Sequence, residues 1–243
     1  MVSTTLVFAA LVAAVSAVPA CRPPTYTLPK LGAETELAAP AAGLVLRKIA
    51  IGHGIQNYTC KDTTSAPSAN GALAVLYDAT LLYPGTKKTG LSQAAWDNAP
   101  STVLRHTALP LNKLAGSEYG ADATNPFPPA ADLKPGQGLP ALKFLGHHFF
   151  DIDGVPVFDL TAAGLKATVH KITALNAPAT ADKGITGTGA VAWLQLDDTG
   201  AGLSKGVTTV YRVITAGGAG KACSVAGVGP QSVPYTTYYW FFG

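Results

Sequence analysis

Tyr235-Thr236-Thr237-Tyr238-Tyr239-Trp240-Phe241-Phe242 sets large aromatic side chains at both odd and even positions near the end of the chain. Successive residues of a strand point to opposite faces, so this stretch reads as a β-strand buried on both sides. Such a strand needs a sheet around it and cover on each face. The rest of the sequence supplies candidate partners at 44–51, 55–60, 72–83, 141–150, 155–160, 168–175, 190–196 and 207–215, each bounded by Gly, Pro or a Ser/Asn cluster. Charged residues make up only 13% of the chain, while Gly (26) and Pro (18) are abundant, which suits turn-rich β structure better than a helical bundle. The expectation is an all-β single domain, a β-sandwich or barrel.

Two local signals refine that picture. Asp153-Gly154 between two apolar runs predicts a type I′ hairpin turn, whose central residues both take positive φ. From 84 to 140, Pro, Asn and Gly recur and the apolar spacing fits one or two short helices, starting near Ser92 and Ser101 as N-caps. This long excursion is expected to cover one end of the sheet and to form one wall of a pocket.

At the other end of the chain, a ten-residue apolar run at 6–15 leads into Val15-Ser16-Ala17, the small-residue pattern of a signal peptidase site. Residues 1–17 are therefore expected to be a removable signal peptide, 18–42 a Pro/Ala-rich extended leader, and 43–243 the β domain. No apolar segment reaches the length of about 20 residues that a spanning helix needs, so a soluble, secreted, extracellular or cell-wall protein with no membrane span is expected. The formal charge of +3 is dispersed along the chain, which argues against nucleic acid as a partner. No acid follows Asp198, leaving Lys205, Arg212 and Lys221 as the charges of the last 45 residues. A solvated sheet face accounts for this, and an anion-attracting rim is the alternative.

Three cysteines are an odd count for an exported chain. Cys60 ends an early strand and Cys223 follows a late one, so a disulfide between them would staple the two halves of the domain. Cys21 would then be free, removed or paired elsewhere. Asn57-Tyr58-Thr59 is an acceptor motif for N-glycosylation at Asn57, usable where the side chain faces solvent.

Several motifs fail as chemistry. Gly202-Leu203-Ser204-Lys205-Gly206 matches a nucleophile elbow, but a β-branched run follows where a helix is needed, and no His or acid lies beyond Ser204. His147-His148 and Asp151 suggest a metal, yet His147 and Asp151 would stand about 13 Å apart along a regular strand. A single member of the pair could still join His53, His106 or His170, but no metal site is expected. Asp151-Ile152-Asp153-Gly154 lacks the ligand positions of a calcium loop. Gly184, Gly187 and Gly189 come in the wrong order for a dinucleotide fingerprint, and no cofactor is expected. Beyond their packing value, the aromatic residues Trp193, Tyr211, Tyr239 and Trp240 form a candidate ligand face for sugars or flat apolar molecules.

The ordered set Gly54-Ile55-Gln56-Asn57-Tyr58-Thr59-Cys60, Gly146-His147-His148-Phe149, Pro156-Val157-Phe158-Asp159-Leu160, Val191-Ala192-Trp193-Leu194, Tyr211-Arg212-Val213-Ile214-Thr215-Ala216-Gly217-Gly218 with Cys223, and Val233-Pro234-Tyr235-Thr236 resembles a secreted domain-of-unknown-function family, number 3455, of fungi and bacteria. The resemblance runs from about Gly43 onward. It implies pairing of Cys60 with Cys223 and makes His148 and Arg212 the first candidates for a polar site. Fungal relatives often carry the label malate dehydrogenase. Without the dinucleotide fingerprint or a βαβ rhythm, that activity is not expected of this chain. The leading functional expectation is a non-catalytic binding protein for a carbohydrate or small apolar ligand. The alternatives are an extracellular enzyme using His148 and Arg212 with an acid such as Asp151 or Asp78, and a structural surface or coat protein.

Overall fold

The computed structural model describes residues 1–2 and 25–243; the expected cleavage site and Cys21 lie outside the described residues. The described residues hold eight strands, β1 (Leu46–Cys60), β2 (Ser68–Asp78), β3 (Lys143–Phe150), β4 (Pro156–Leu160), β5 (Leu165–Leu175), β6 (Trp193–Asp198), β7 (Thr209–Gly217) and β8 (Gly229–Phe242). Each pairs antiparallel with its neighbour in sequence, and β1 pairs with β8, so the sheet closes into a barrel. The all-β expectation holds, and of its two forms the barrel is the one adopted. Closure leaves no sheet edge to template pairing with another chain.

Strand β8 runs between β1 and β7 with both faces buried, as its aromatic pattern implies. Tyr235, Tyr239 and Phe241 belong to an inner core with Ala50, Leu76, Leu145, Phe158, Leu160, Val169 and Val210. Tyr238, Trp240 and Phe242 join an outer core with Ile49, Ile51, Tyr77, Trp193, Tyr211 and Val213. That outer layer is covered chiefly by α1 (Gln93–His106), whose buried Trp96, Ala99, Pro100, Val103 and Leu104 follow helical spacing. The Trp96 indole stacks on the Tyr238 ring at 4.1 Å.

Where one or two helices were expected, the excursion carries one, capped by Ser92, whose Oγ accepts from the Ala95 amide, and continuous through Ser101. Pro100 suggests a break, because it cannot donate to the carbonyl four residues back. That carbonyl belongs to Trp96, and it accepts instead from the Tyr238 hydroxyl at 3.0 Å. A side chain from the last strand thus replaces the bond that the proline removes.

Other elements differ from expectation for similar reasons. Strands 44–51 and 55–60 merge into β1, because Gly52 and Gly54 are not breaks but points of close approach. A Cβ on Gly54 would lie 1.9 Å from the Leu73 carbonyl oxygen, and one on Gly52 would lie 2.5 Å from the Tyr239 ring. Strand β8 begins earlier than 236 and passes through Pro234, which sits just beyond the last pair that β8 makes with β7, Gly217 and Tyr235. The turn after β3 is not type I′: Gly154 alone has positive φ, 75°, and its amide donates to the Asp151 carbonyl at 3.0 Å. The described leader residues lie outside the named helices and strands, with bends at 33–35, and Tyr26, Leu28, Leu31 and Leu37 pack on the outer core rather than standing free. A second short helix, α2 (Cys223–Ala226), follows β7.

Cys60 and Cys223 form a disulfide across 163 positions, tying the end of β1 to the segment after β7. In the chain-entropy account a closed loop of this length contributes about 5 kcal/mol, so reduction should lower the melting temperature by roughly 10 to 20 °C. Scanning calorimetry with and without dithiothreitol measures this, and an unchanged transition would contradict it. Gly54→Ala should prevent accumulation of folded protein, read as loss of the cooperative thermal transition.

Candidate functional site

One end of the barrel gathers the 61–67, 151–155, 176–192 and 218–228 connections and the disulfide. The other end is filled by the apolar inner core. Just inside the disulfide-bridged end, the alternation of four strands turns polar side chains inward. Gln56 comes from β1, His148 from β3, Arg212 from β7 and Tyr239 from β8, and together they line a cavity of about 40 Å³. Ala72, Phe150, Pro156, Phe158, Leu194 and Leu196 complete its wall. The sequence separation between these polar residues is large, and only closure of the barrel makes them neighbours.

Arg212 is buried, with 9% of its surface exposed. Its Nε donates to the Ala192 carbonyl at 3.0 Å and its Nη1 lies 3.5 Å from Gln56 Oε1. Gln56 is equally buried, and its Nε2 has no hydrogen-bond partner. The amide cannot usefully be turned over, because that would set its own donors against those of Arg212. The hydroxyls of Tyr235 and Tyr239 are 2.9 Å apart, and burial raises the pKa of both.

His148 is stacked on Phe158 at 4.0 Å, and its Nδ1 donates to the Val157 carbonyl at 2.8 Å. Burial, with a smaller contribution from the Arg212 charge, pushes its pKa down to about 4, so the ring is neutral at pH 7. Two residues past Arg212, Ile214 takes φ 48° inside a bulge of β7 opposite β8. A β-branched residue in that region is strained, and such strain is concentrated where backbone placement matters.

His148 and Arg212, singled out from the sequence, therefore meet in one cavity. The acids suggested to help them do not join it. Asp151 accepts from the Asp153 and Val155 amides in its own turn, and Asp78 is paired with Lys48 at 2.6 Å near the far end of β2. The four residues of the suggested aromatic face are all buried and do not share one surface. Tyr239 points into the barrel, while Trp193, Tyr211 and Trp240 lie in the outer core. Asn57 is half-buried near the same end, and its Oδ1 accepts from Ser232 Oγ at 2.8 Å. Among the described residues no group of three or more His, Cys, Asp or Glu side chains is placed to hold a metal ion. No described helix is long and apolar enough to cross a membrane. Ser204 accepts from the Thr168 amide and donates to Asp198 at the opposite end, a structural arrangement.

Gln56 and Tyr235 escaped the sequence reading. The available signal was Gln56 at an inward position continuing Gly52 and Gly54, a polar residue in a register otherwise given to tight packing. His53, on the outer face of β1, was considered only as a stray metal ligand. It is fully buried, its Nδ1 is 3.0 Å from Thr236 Oγ1, and its Nε2 is 3.1 Å from the Ala108 carbonyl. It thereby ties the excursion to the barrel, and burial pushes its pKa down to about 4.

A second, larger groove of about 630 Å³ lies beside α1, lined by Asp97, Arg105, Asp182, Trp193 and Ile214 among others. Its Arg105 and Asp182 are paired with each other. The indole Nε1 of Trp193 is buried there without a hydrogen-bond partner.

The two buried histidines give the fold a defined acid limit. An unfolded histidine titrates near 6.5, whereas His53 and His148 stay neutral down to about pH 4 in the folded protein. Between those values the unfolded chain binds protons that the folded one refuses, so stability is full above about pH 6.5 and falls as the pH drops toward 4. Each histidine accounts for on the order of 3 kcal/mol of that loss. Urea midpoints measured from pH 7 to pH 4 should decline across this window, and less steeply in His53→Gln; a flat profile would contradict the assignment.

Comparison with known proteins gives one match. The family described as "Protein of unknown function (DUF3455)" matches residues 40–243. No curated protein and no solved structure matches the chain.

Proposed function

Because the chain belongs to this family of unknown function, whose description names no activity, we propose a role from the site itself: an exported, non-catalytic binding protein that holds part of a small ligand in the cavity at the disulfide-bridged end of the barrel. The supporting observation is the convergence of Gln56, His148, Arg212 and Tyr239 in an interior that is otherwise apolar. A few polar groups set in apolar walls are the usual composition of a small-molecule site. Binding is favoured over catalysis because His148 is neutral with Nδ1 committed to a backbone carbonyl, and the nearby acid Asp151 is engaged in its own turn. Export is supported by the apolar run at 6–15 and by the disulfide, which persists in oxidising compartments.

The cavity has room for about three water-sized groups, so only the head of a ligand enters it and the remainder lies at the mouth near Phe150 and Pro156. A second role, carbohydrate binding, falls to the groove beside α1, whose lining combines the Trp193 side chain with polar residues such as Asp97, Ser101 and Thr102.

A thermal-shift screen of the purified protein against small acids, amides, alcohols and sugars tests both. Head-group binding should raise the melting temperature in wild type but not in Leu194→Trp, which blocks the cavity. Stabilisation that survives Leu194→Trp and is lost in Trp193→Phe would move the site to the groove, and no shift with any compound would remove the binding role.

A further inference from the structure

We infer that the cavity ligand is a small organic acid, whose carboxylate is received by Arg212 and Gln56 and whose hydrocarbon portion lies against the apolar mouth. The inference rests on the binding role proposed above and specifies the chemistry of its ligand.

A guanidinium remains charged at every physiological pH, and a buried charge is costly unless an opposite charge or a full set of hydrogen bonds compensates it. The three ion pairs among the described residues are Lys48 with Asp78, Arg105 with Asp182, and Lys143 with Asp132, and none involves Arg212. It meets the Ala192 backbone carbonyl, the more distant Gln56 amide oxygen and the Tyr239 hydroxyl, all of them neutral. Five N–H donors on a planar fork are thus held inside the barrel with no anion supplied by the described chain.

The surroundings add one further donor beside Arg212 and, on the His148 side, the acceptor Nε2 of a ring whose Nδ1 carries the proton. Gln56 Nε2 is a buried amide donor without a partner in the wall of the same cavity. The Tyr239 hydroxyl is held by Tyr235 beside it. On the side of Arg212 and Gln56 an accepting group fits, and a carboxylate matches the guanidinium fork with two parallel hydrogen bonds. One positive charge in the cavity favours a monoanion over a doubly charged phosphate or sulfate. The cavity volume of about 40 Å³ fits a three-atom carboxylate head. Phe150, Phe158, Leu194 and Leu196 then meet carbon rather than water.

The test uses the full protein at pH 7 and constant ionic strength, with sodium acetate, butyrate and hexanoate as probes, the matching amides as neutral isosteres, and sulfate as a control. The carboxylates should raise the melting temperature saturably, by about 5 °C or more once they exceed their Kd a hundredfold. The amides and sulfate should not. Arg212→Met, which keeps the length of the side chain without its charge, should abolish the shift, and folding of this variant is checked by near-ultraviolet circular dichroism. Ala72→Leu, which fills the cavity and leaves Arg212 in place, should abolish it as well and decides the matter if Arg212→Met does not fold.

Equal shifts with acids and amides, or acid shifts that persist in either folded variant, would overturn the inference. Stabilisation by neutral compounds alone would overturn it while leaving the binding role intact. No stabilisation by any compound would overturn both.

Discussion

The pairing of β1 with β8, running from Leu46 opposite Phe242 to Cys60 opposite Gly229, is the constraint on which the remaining structure depends. It joins the first strand to the last, so it can form only when nearly the whole domain is in place, and contacts of such long separation are entropically expensive to close. The disulfide between Cys60 and Cys223 reinforces this seam at one end. Close approach of the backbones at Gly54 and of the Tyr239 ring at Gly52 lets the barrel close tightly there.

Closure divides the aromatic residues of β8 between two jobs. Tyr238 and Trp240 form the bed on which α1 lies, with Tyr238 also serving the carbonyl freed by Pro100. Tyr235 and Tyr239 face inward with their hydroxyls in contact, and Tyr239 lines the Arg212 cavity. A single strand thereby anchors the outer cover and frames the inner site. Disturbance of the helix and disturbance of the cavity are coupled through a backbone they share.

Much of the site was only half legible. His148 and Arg212 were named from the order of their motifs, but nothing in a linear pattern shows that β3 and β7 turn them toward the same small space. Asp151 and Asp78 looked equally available until the turn and the Lys48 pair were seen to occupy them. Trp193, Tyr211 and Trp240 looked like a surface for ligands because alternation cannot tell an exposed face from one covered by a helix 100 residues away in the chain. The single helix escaped division for the same reason: the group that rescues Pro100 lies on β8, far outside any local window.

Composition, period-two alternation and turn residues determined, without any coordinates, that this chain builds sheet rather than helix. The positions of Cys60 at a strand end and Cys223 beyond a late strand, and of Ser92 ahead of a helix, were equally local facts. Which face of each strand became the inside was decided by closure, since a period of two marks sides without saying which one the sheet will curl around. That choice also left Arg212 buried beside neutral partners, because the company a charge keeps is set by which strands meet and not by its neighbours in sequence.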